Sequence, residues 1–191
     1  MISGADYEIE IREHKAHIWA KMVIVIWGVS GAGKTTIGKL LARELGWKFL
    51  DADDFHPAAN IEKMRNGQPL TGEDRQPWLE RLRELIARSL AANEDAVLAC
   101  SALKKKYRDR LRVSDAVKFV FLRGDRQQIE TQLRNRRGHF VNPDLLDTQF
   151  ADLEEPKSCE GVVIVDLGPH AEELVEAIEE KLQLRGQKDW C

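Results

Sequence analysis

The chain has 191 residues, with 29 Lys and Arg against 32 Asp and Glu and a formal net charge of −3. At 43% apolar it can bury a core, which excludes a disordered chain, and its length removes the need for disulfide or metal staples. A near-neutral sum gives no general attraction to nucleic acid or to an anionic membrane.

Residues 1–21 stand apart as an N-terminal extension. Tyr7, Ile9 and Ile11 alternate with charged residues, which suits either a short edge strand or a mobile tail. Asp6, Glu8, Glu10, Glu13 and Lys15 lie where a signal peptide needs an apolar stretch. The run Met22 to Trp27 is far shorter than the roughly 18 residues of a membrane span. Cys100, Cys159 and Cys191 form no C-x-x-C pair and no zinc spacing, so reduced thiols in a cytoplasmic protein are expected.

From Val23 onward, short apolar runs alternate with helical periodicity. Val23–Trp27, Lys48–Leu50, Ala96–Cys100, Val117–Leu122 and Val162–Val165 read as strands, apolar on both faces as buried parallel strands are. Ile37, Leu40, Leu41 and Leu45 recur at helical steps, and Gly46 is placed to end that helix. Leu79, Leu82, Leu85, Ile86 and Leu90 mark a longer helix, preceded by a capping-box-like Thr71 and Asp74. Leu174, Ile178 and Leu182 mark a last helix. The alternation predicts one α/β domain over residues 22–185 with a mostly parallel five-stranded sheet, and a tail over 186–191.

Between the first strand and its helix lies Gly28-Val29-Ser30-Gly31-Ala32-Gly33-Lys34-Thr35, the pattern G-x-x-x-x-G-K-[ST] in the context it requires. Glycines let the backbone close on an anion, and successive N–H groups with the helix N-terminus surround phosphates. Lys34 supplies charge for the β- and γ-phosphates, Thr35 is placed to hold Mg²⁺, and Thr36 continues the donor set. ATP and Mg²⁺ are the expected cofactors.

Asp51-Ala52-Asp53-Asp54-Phe55-His56 follows the second strand, at the end of the sheet where ligands bind. Asp51 and Asp53 share a face of an extended chain. One carboxylate near the metal and one near an acceptor hydroxyl suit phosphoryl transfer to an alcohol, with Asp53 as base. Asp54 is placed to cap a helix beginning at Pro57. His56 suits either a substrate contact or an ordinary polar loop position.

The segment His56-Pro57-Ala58-Ala59-Asn60-Ile61-Glu62-Lys63-Met64-Arg65-Asn66-Gly67-Gln68-Pro69-Leu70 continues to Asp74-Arg75-Gln76-Pro77-Trp78-Leu79. Later blocks are Cys100-Ser101-Ala102-Leu103-Lys104-Lys105-Lys106-Tyr107-Arg108-Asp109, then Arg137-Gly138-His139-Phe140, Gln149-Phe150 and Leu153-Glu154-Glu155-Pro156. With the phosphate loop, these closely resemble the gluconokinase family of small P-loop sugar-acid kinases over about residues 22–185. The resemblance implies ATP-dependent phosphorylation of D-gluconate to 6-phosphogluconate. It also implies a P-loop NTPase fold of the three-layer, nucleoside-monophosphate-kinase-like type, and commonly a homodimer. Ala52, Gly72 and Val141 depart from the family pattern, and Ala52 requires a turn open to a non-glycine residue.

A sugar acid needs a cation for its carboxylate. Lys63, Arg65 and Arg75, within an acceptor segment at about 54–78, are candidates, each also readable as a solvated charge. Lys104, Lys105, Lys106, Arg108, Arg110 and Arg112 form the densest basic run. Lys104, with Arg108, suits an acceptor or phosphate contact or a solvated face, and without interleaved aromatics nucleic acid is not expected. The resemblance places a lid at about 134–150, with Arg134 and Arg137 as candidates to meet the transferring phosphoryl group. Asp166 to Pro169 are placed to border the adenine, and Trp78 reads as core. The rival readings are a kinase for another small acceptor, such as shikimate or a nucleoside monophosphate, and a non-catalytic nucleotide-binding switch.

Overall fold

Every apolar run becomes a strand of one sheet. The computed structural model describes residues 21–135 and 143–184. The strands are β1 (Val23–Trp27), β2 (Lys48–Asp51), β3 (Ala96–Cys100), β4 (Val117–Arg123) and β5 (Val162–Asp166). Their order is β2-β3-β1-β4-β5, and each of these pairings is parallel. The helices are α1 (Lys34–Leu45), α2 (Ala58–Arg65), α3 (Gly72–Ala91), α4 (Lys105–Leu111), α5 (Arg126–Asn135), α6 (Pro143–Asp152) and α7 (Ala171–Lys181).

Strand alternation sorts the core into two layers, one on each side of the sheet. Ile24 and Ile26 of β1 pack with Ile37 and Leu41 of α1, Ile129 of α5 and Ile178 of α7. Val23, Val25 and Trp27 face the other way, onto Trp78, Leu79, Leu82 and Ile86 of α3 and Leu111 of α4. A strand covered on both faces has no polar side, which is why β1 is buried throughout and reads as a continuous apolar run. Each such Leu or Ile contributes about 1.5–3 kcal/mol through burial.

Helix ends follow local chemistry. Thr71 accepts from the Asp74 N–H and Asp74 accepts from the Thr71 N–H, closing the capping box at the start of α3. Gly46 ends α1 in the left-handed conformation. Two expectations change. Pro57 precedes α2, whose start has no side-chain cap, so Asp54 does not cap it. The capping aspartate is Asp51, which accepts from the Asp53 N–H and starts a short 3₁₀ turn over Ala52–Phe55. The two-residue offset is the reason: an Asx-type bond reaches the N–H two positions ahead. Among the described residues no helix is long and apolar enough to cross a membrane.

Candidate active site

The first wall of the site is the backbone that leaves β1. Gly28 has φ +150°, and a Cβ there would stand 2.9 Å from the Leu122 carbonyl oxygen. Gly31 has φ +88°, and its Cβ would collide with Leu133 at 2.7 Å. Both positions exclude larger residues, so the loop Gly28–Gly33 keeps its N–H-lined curve against β4 and α5. α1 begins at Lys34 with no acidic residue in its first turn, leaving the positive end of the helix for an anion. Lys34 Nζ donates to the Val29 carbonyl at 2.9 Å, so its ammonium folds back along the loop.

The second wall comes from β2. Asp51 is the last residue of the strand and pairs in register with Ala99 of β3. Its Oδ2 accepts from Thr35 Oγ1 at 3.0 Å, and its Oδ1 holds the Asp53 N–H at 3.2 Å. One carboxylate thus ties the phosphate loop's helix to the turn that carries Asp53. Ala52, in that turn, is fully buried and stays out of the left-handed region, so the missing glycine imposes no strain. Trp78 Nε1 donates to the Ala52 carbonyl at 2.7 Å and pins the turn from beneath. As expected, Trp78 belongs to the core.

Loss of solvation raises the Asp53 carboxyl above its ordinary value, Asp51 raises it further, and Lys34 opposes the rise. The side chain is 78% exposed, so water screens part of this effect. The direction is that of a base drawn toward working pH. Burial pushes the neighbouring Cys100 thiol far above its usual range, which removes it as a nucleophile.

The acceptor segment closes around His56, whose side chain is 6% exposed. Its ring stacks on Trp78 at 4.6 Å with 7° between planes, and its Nε2 lies 4.0 Å from Asp53 Oδ1. Burial, and then the charge of Arg75, lower its pKa to about 4, so it is neutral at physiological pH. Arg75 lies 6.0 Å from the Tyr107 ring and also acts on Lys104, which places His56, Arg75 and Lys104 in one neighbourhood.

The other predicted cations are placed differently. Lys63 is held by Asp74 at 2.7 Å, and that bond, with those from Thr71, lowers the Asp74 carboxyl to about 2. Arg65 is exposed on the last turn of α2. Lys104 pairs with Asp152 of α6 at 2.9 Å. Arg108 is not available to a ligand. It is 1% exposed, lies 4.2 Å over Trp27, and donates to the Leu103 carbonyl and to Glu160. Arg134 lies in the last turn of α5 with its side chain exposed and paired with Glu130 at 3.2 Å. Arg137, with Arg136, His139, Phe140 and Val141, lies outside the described residues. Asp166 is bound to Arg123 across β4 and β5.

One residue at the phosphate loop had no role in the sequence reading. Gln149 of α6 accepts from the Ser30 N–H at 2.6 Å. Only its place in a family block drew attention to it, because a contact this distant in sequence leaves no periodic signal.

A phosphate loop, an oxygen pair beside it and a carboxylate at the mouth are the parts of a phosphotransferase. The shikimate kinase family model matches residues 30–182. A gluconokinase of Arabidopsis thaliana is 44% identical, over 82% of this chain and 89% of its own. The thermoresistant gluconokinase of Escherichia coli is 42% identical, over 85% of this chain and 91% of its own. This chain belongs to the gluconokinase family. A solved gluconokinase from Sinorhizobium meliloti superposes with a TM-score of 0.75 at 36% identity, covering 87% of this chain and 97% of that one. This family member is therefore a kinase with the P-loop, nucleoside-monophosphate-kinase-like fold, and a kinase of this family takes its phosphoryl group from ATP.

Proposed function

We propose that the chain phosphorylates D-gluconate on its primary hydroxyl, with ATP as donor. The observation that carries this reading is the junction of Lys34, Thr35, Asp51 and Asp53 at the carboxyl ends of β1 and β2, in a chain whose relatives are gluconokinases. The loop's N–H groups cradle the phosphates, apart from those of Ser30 and Ala32, which Gln149 and the Val29 carbonyl hold. Thr35 Oγ1 and Asp51 Oδ2 are hard oxygen donors, and two of them suit Mg²⁺, which keeps water and phosphate oxygens as its other ligands. When bound there, Mg²⁺ offsets charge on the β- and γ-phosphates.

Asp53 accepts the proton of the acceptor hydroxyl as the new oxygen–phosphorus bond forms and ADP leaves with the electrons of the old one. Its raised pKa supports that role. Lys34 neutralises the developing charge, with Arg134 and Arg137 of the lid as further donors. Of the acceptor-side cations, Arg75 suits the gluconate carboxylate best, because Lys63 and Lys104 already hold Asp74 and Asp152. Neutral His56 offers an acceptor or donor to a sugar hydroxyl. The reading includes a homodimer, from the family resemblance, and a cytoplasmic location, supported by the free Cys100 and Cys159.

A coupled ADP-release assay across gluconate, other sugar acids, shikimate and AMP tests the acceptor. Gluconate should exceed each rival by a factor of about 10⁴, as a site built to pair hydroxyls allows. Faster turnover with shikimate or AMP would replace gluconate. Tight ATP binding with no acceptor-stimulated release would favour a nucleotide-binding switch.

A further inference from the structure

Gln149 binds Ser30 twice. Its Oε1 accepts from the backbone N–H at 2.6 Å, and its Nε2 donates to Ser30 Oγ at 2.8 Å. A backbone N–H can only donate, so the amide can sit only one way round, with oxygen on the N–H and nitrogen on the hydroxyl. An amide nitrogen also only donates. Ser30 Oγ is therefore an acceptor toward Gln149, and its own proton points elsewhere. Among the described residues none accepts that proton.

The same peptide unit is gripped from its other side. Lys34 Nζ donates to the Val29 carbonyl at 2.9 Å, and Val29 C=O and Ser30 N–H belong to one peptide. Lys34 also acts on Asp53. Ser30 thus stands beside the Lys34 ammonium, the charge that serves the β- and γ-phosphates.

We infer that Gln149 is a positioning residue that turns the Ser30 hydroxyl into a donor aimed at the terminal phosphoryl group of a bound nucleoside triphosphate. This rests on the kinase reading of the donor site and is independent of which acceptor the enzyme uses. It also gives α6 a function: the helix carries Gln149 to the loop and Asp152 to Lys104.

Three variants test it: Ser30→Ala, Gln149→Met, which keeps the length of the side chain and removes both bonds, and the double variant. Calorimetry measures the affinity of each for ADP and for a non-hydrolysable ATP analogue, both with Mg²⁺. Each single variant should weaken the analogue about tenfold, as loss of a hydrogen bond to a charged group does, with ADP within about twofold. The double variant should be no weaker than the singles, because both remove the same aimed hydroxyl. Equal losses for ADP and the analogue would mean that Gln149 only braces the loop, and would overturn the inference. Additive losses in the double variant would do the same. If Gln149→Met does not fold, Ser30→Ala decides: a loss confined to the analogue supports the inference, and no loss or an equal loss overturns it. No acceptor enters these measurements, so a failure of gluconate as substrate is read separately.

Discussion

The phosphate loop carries one cation in the eight residues Gly28–Thr35, whereas residues 104–112 carry six. The sparse segment is built to receive an anion and the dense one is largely neutralised. Lys104 is paired with Asp152, Lys105 with Asp109, Arg108 with Glu160 and Arg110 with Glu80. Arg112 lies over Phe119 and donates to the Glu160 carbonyl. Residues 104–112 bind α4 to the rest of the fold, while the loop presents backbone N–H groups that have no counter-charge. A phosphate site follows from backbone geometry at a strand end, and counting cations along a helix does not find it.

Substitutions on the two sides should separate activity from stability. The largest effect belongs to Lys34→Met, which should lower turnover by about 10²–10³ through lost transition-state charge, with the thermal midpoint nearly unchanged. A comparable fall in both quantities would mean that Lys34 also holds the loop together. Arg108→Ala should do the reverse. Removing a buried guanidinium from Glu160 and from the Trp27 face should cost about 3 kcal/mol in urea unfolding, while the ATP affinity of the folded fraction stays put. Weakened nucleotide binding at full stability would restore the basic run as a ligand site.

A smaller effect comes from His56. Its folded pKa of about 4 lies below the ordinary 6.5, so the unfolded chain binds the extra proton between those values. His56 therefore supports the fold fully above about pH 6.5, and this support is lost as pH falls toward 4. His56→Phe keeps a ring on Trp78 and should flatten the urea midpoint across that window. Loss of the Asp74 carboxylate follows only at lower pH, because its folded pKa is about 2. An unchanged slope between pH 6.5 and 4 would place the titrating group elsewhere. Smallest of all, Lys105→Ala, at an exposed side chain of α4, should change neither turnover nor the unfolding midpoint measurably.

The centre of the sheet was legible because β1, β3 and most of β4 are covered on two faces, leaving continuous apolar runs such as Val23–Trp27. The phosphate loop and the Thr71–Asp74 capping box were legible because their bonds close within a few residues. Asp51 and Asp53 were legible as a pair, but their division of labour was not. The bond from Asp51 to Thr35 depends on β3 lying between β2 and β1, and strand order has no local signature. Arg108 read as either an acceptor or phosphate contact or part of a solvated face, because it sits in a basic run whose members Lys105, Lys106 and Arg110 are exposed, and only tertiary packing singles it out. Gln149 was hidden for the same reason, since its partner is 119 residues away.

The most direct test of the account is steady-state phosphorylation of gluconate by the unaltered chain and by Asp53→Asn, together with the affinity of each for ATP. Asp53→Asn should lose about 10²–10⁴ in turnover, the range of a positioned general base, and keep ATP binding within about twofold. Near-normal turnover in that variant would contradict Asp53 as the base, and an unaltered chain inactive on gluconate would contradict the acceptor.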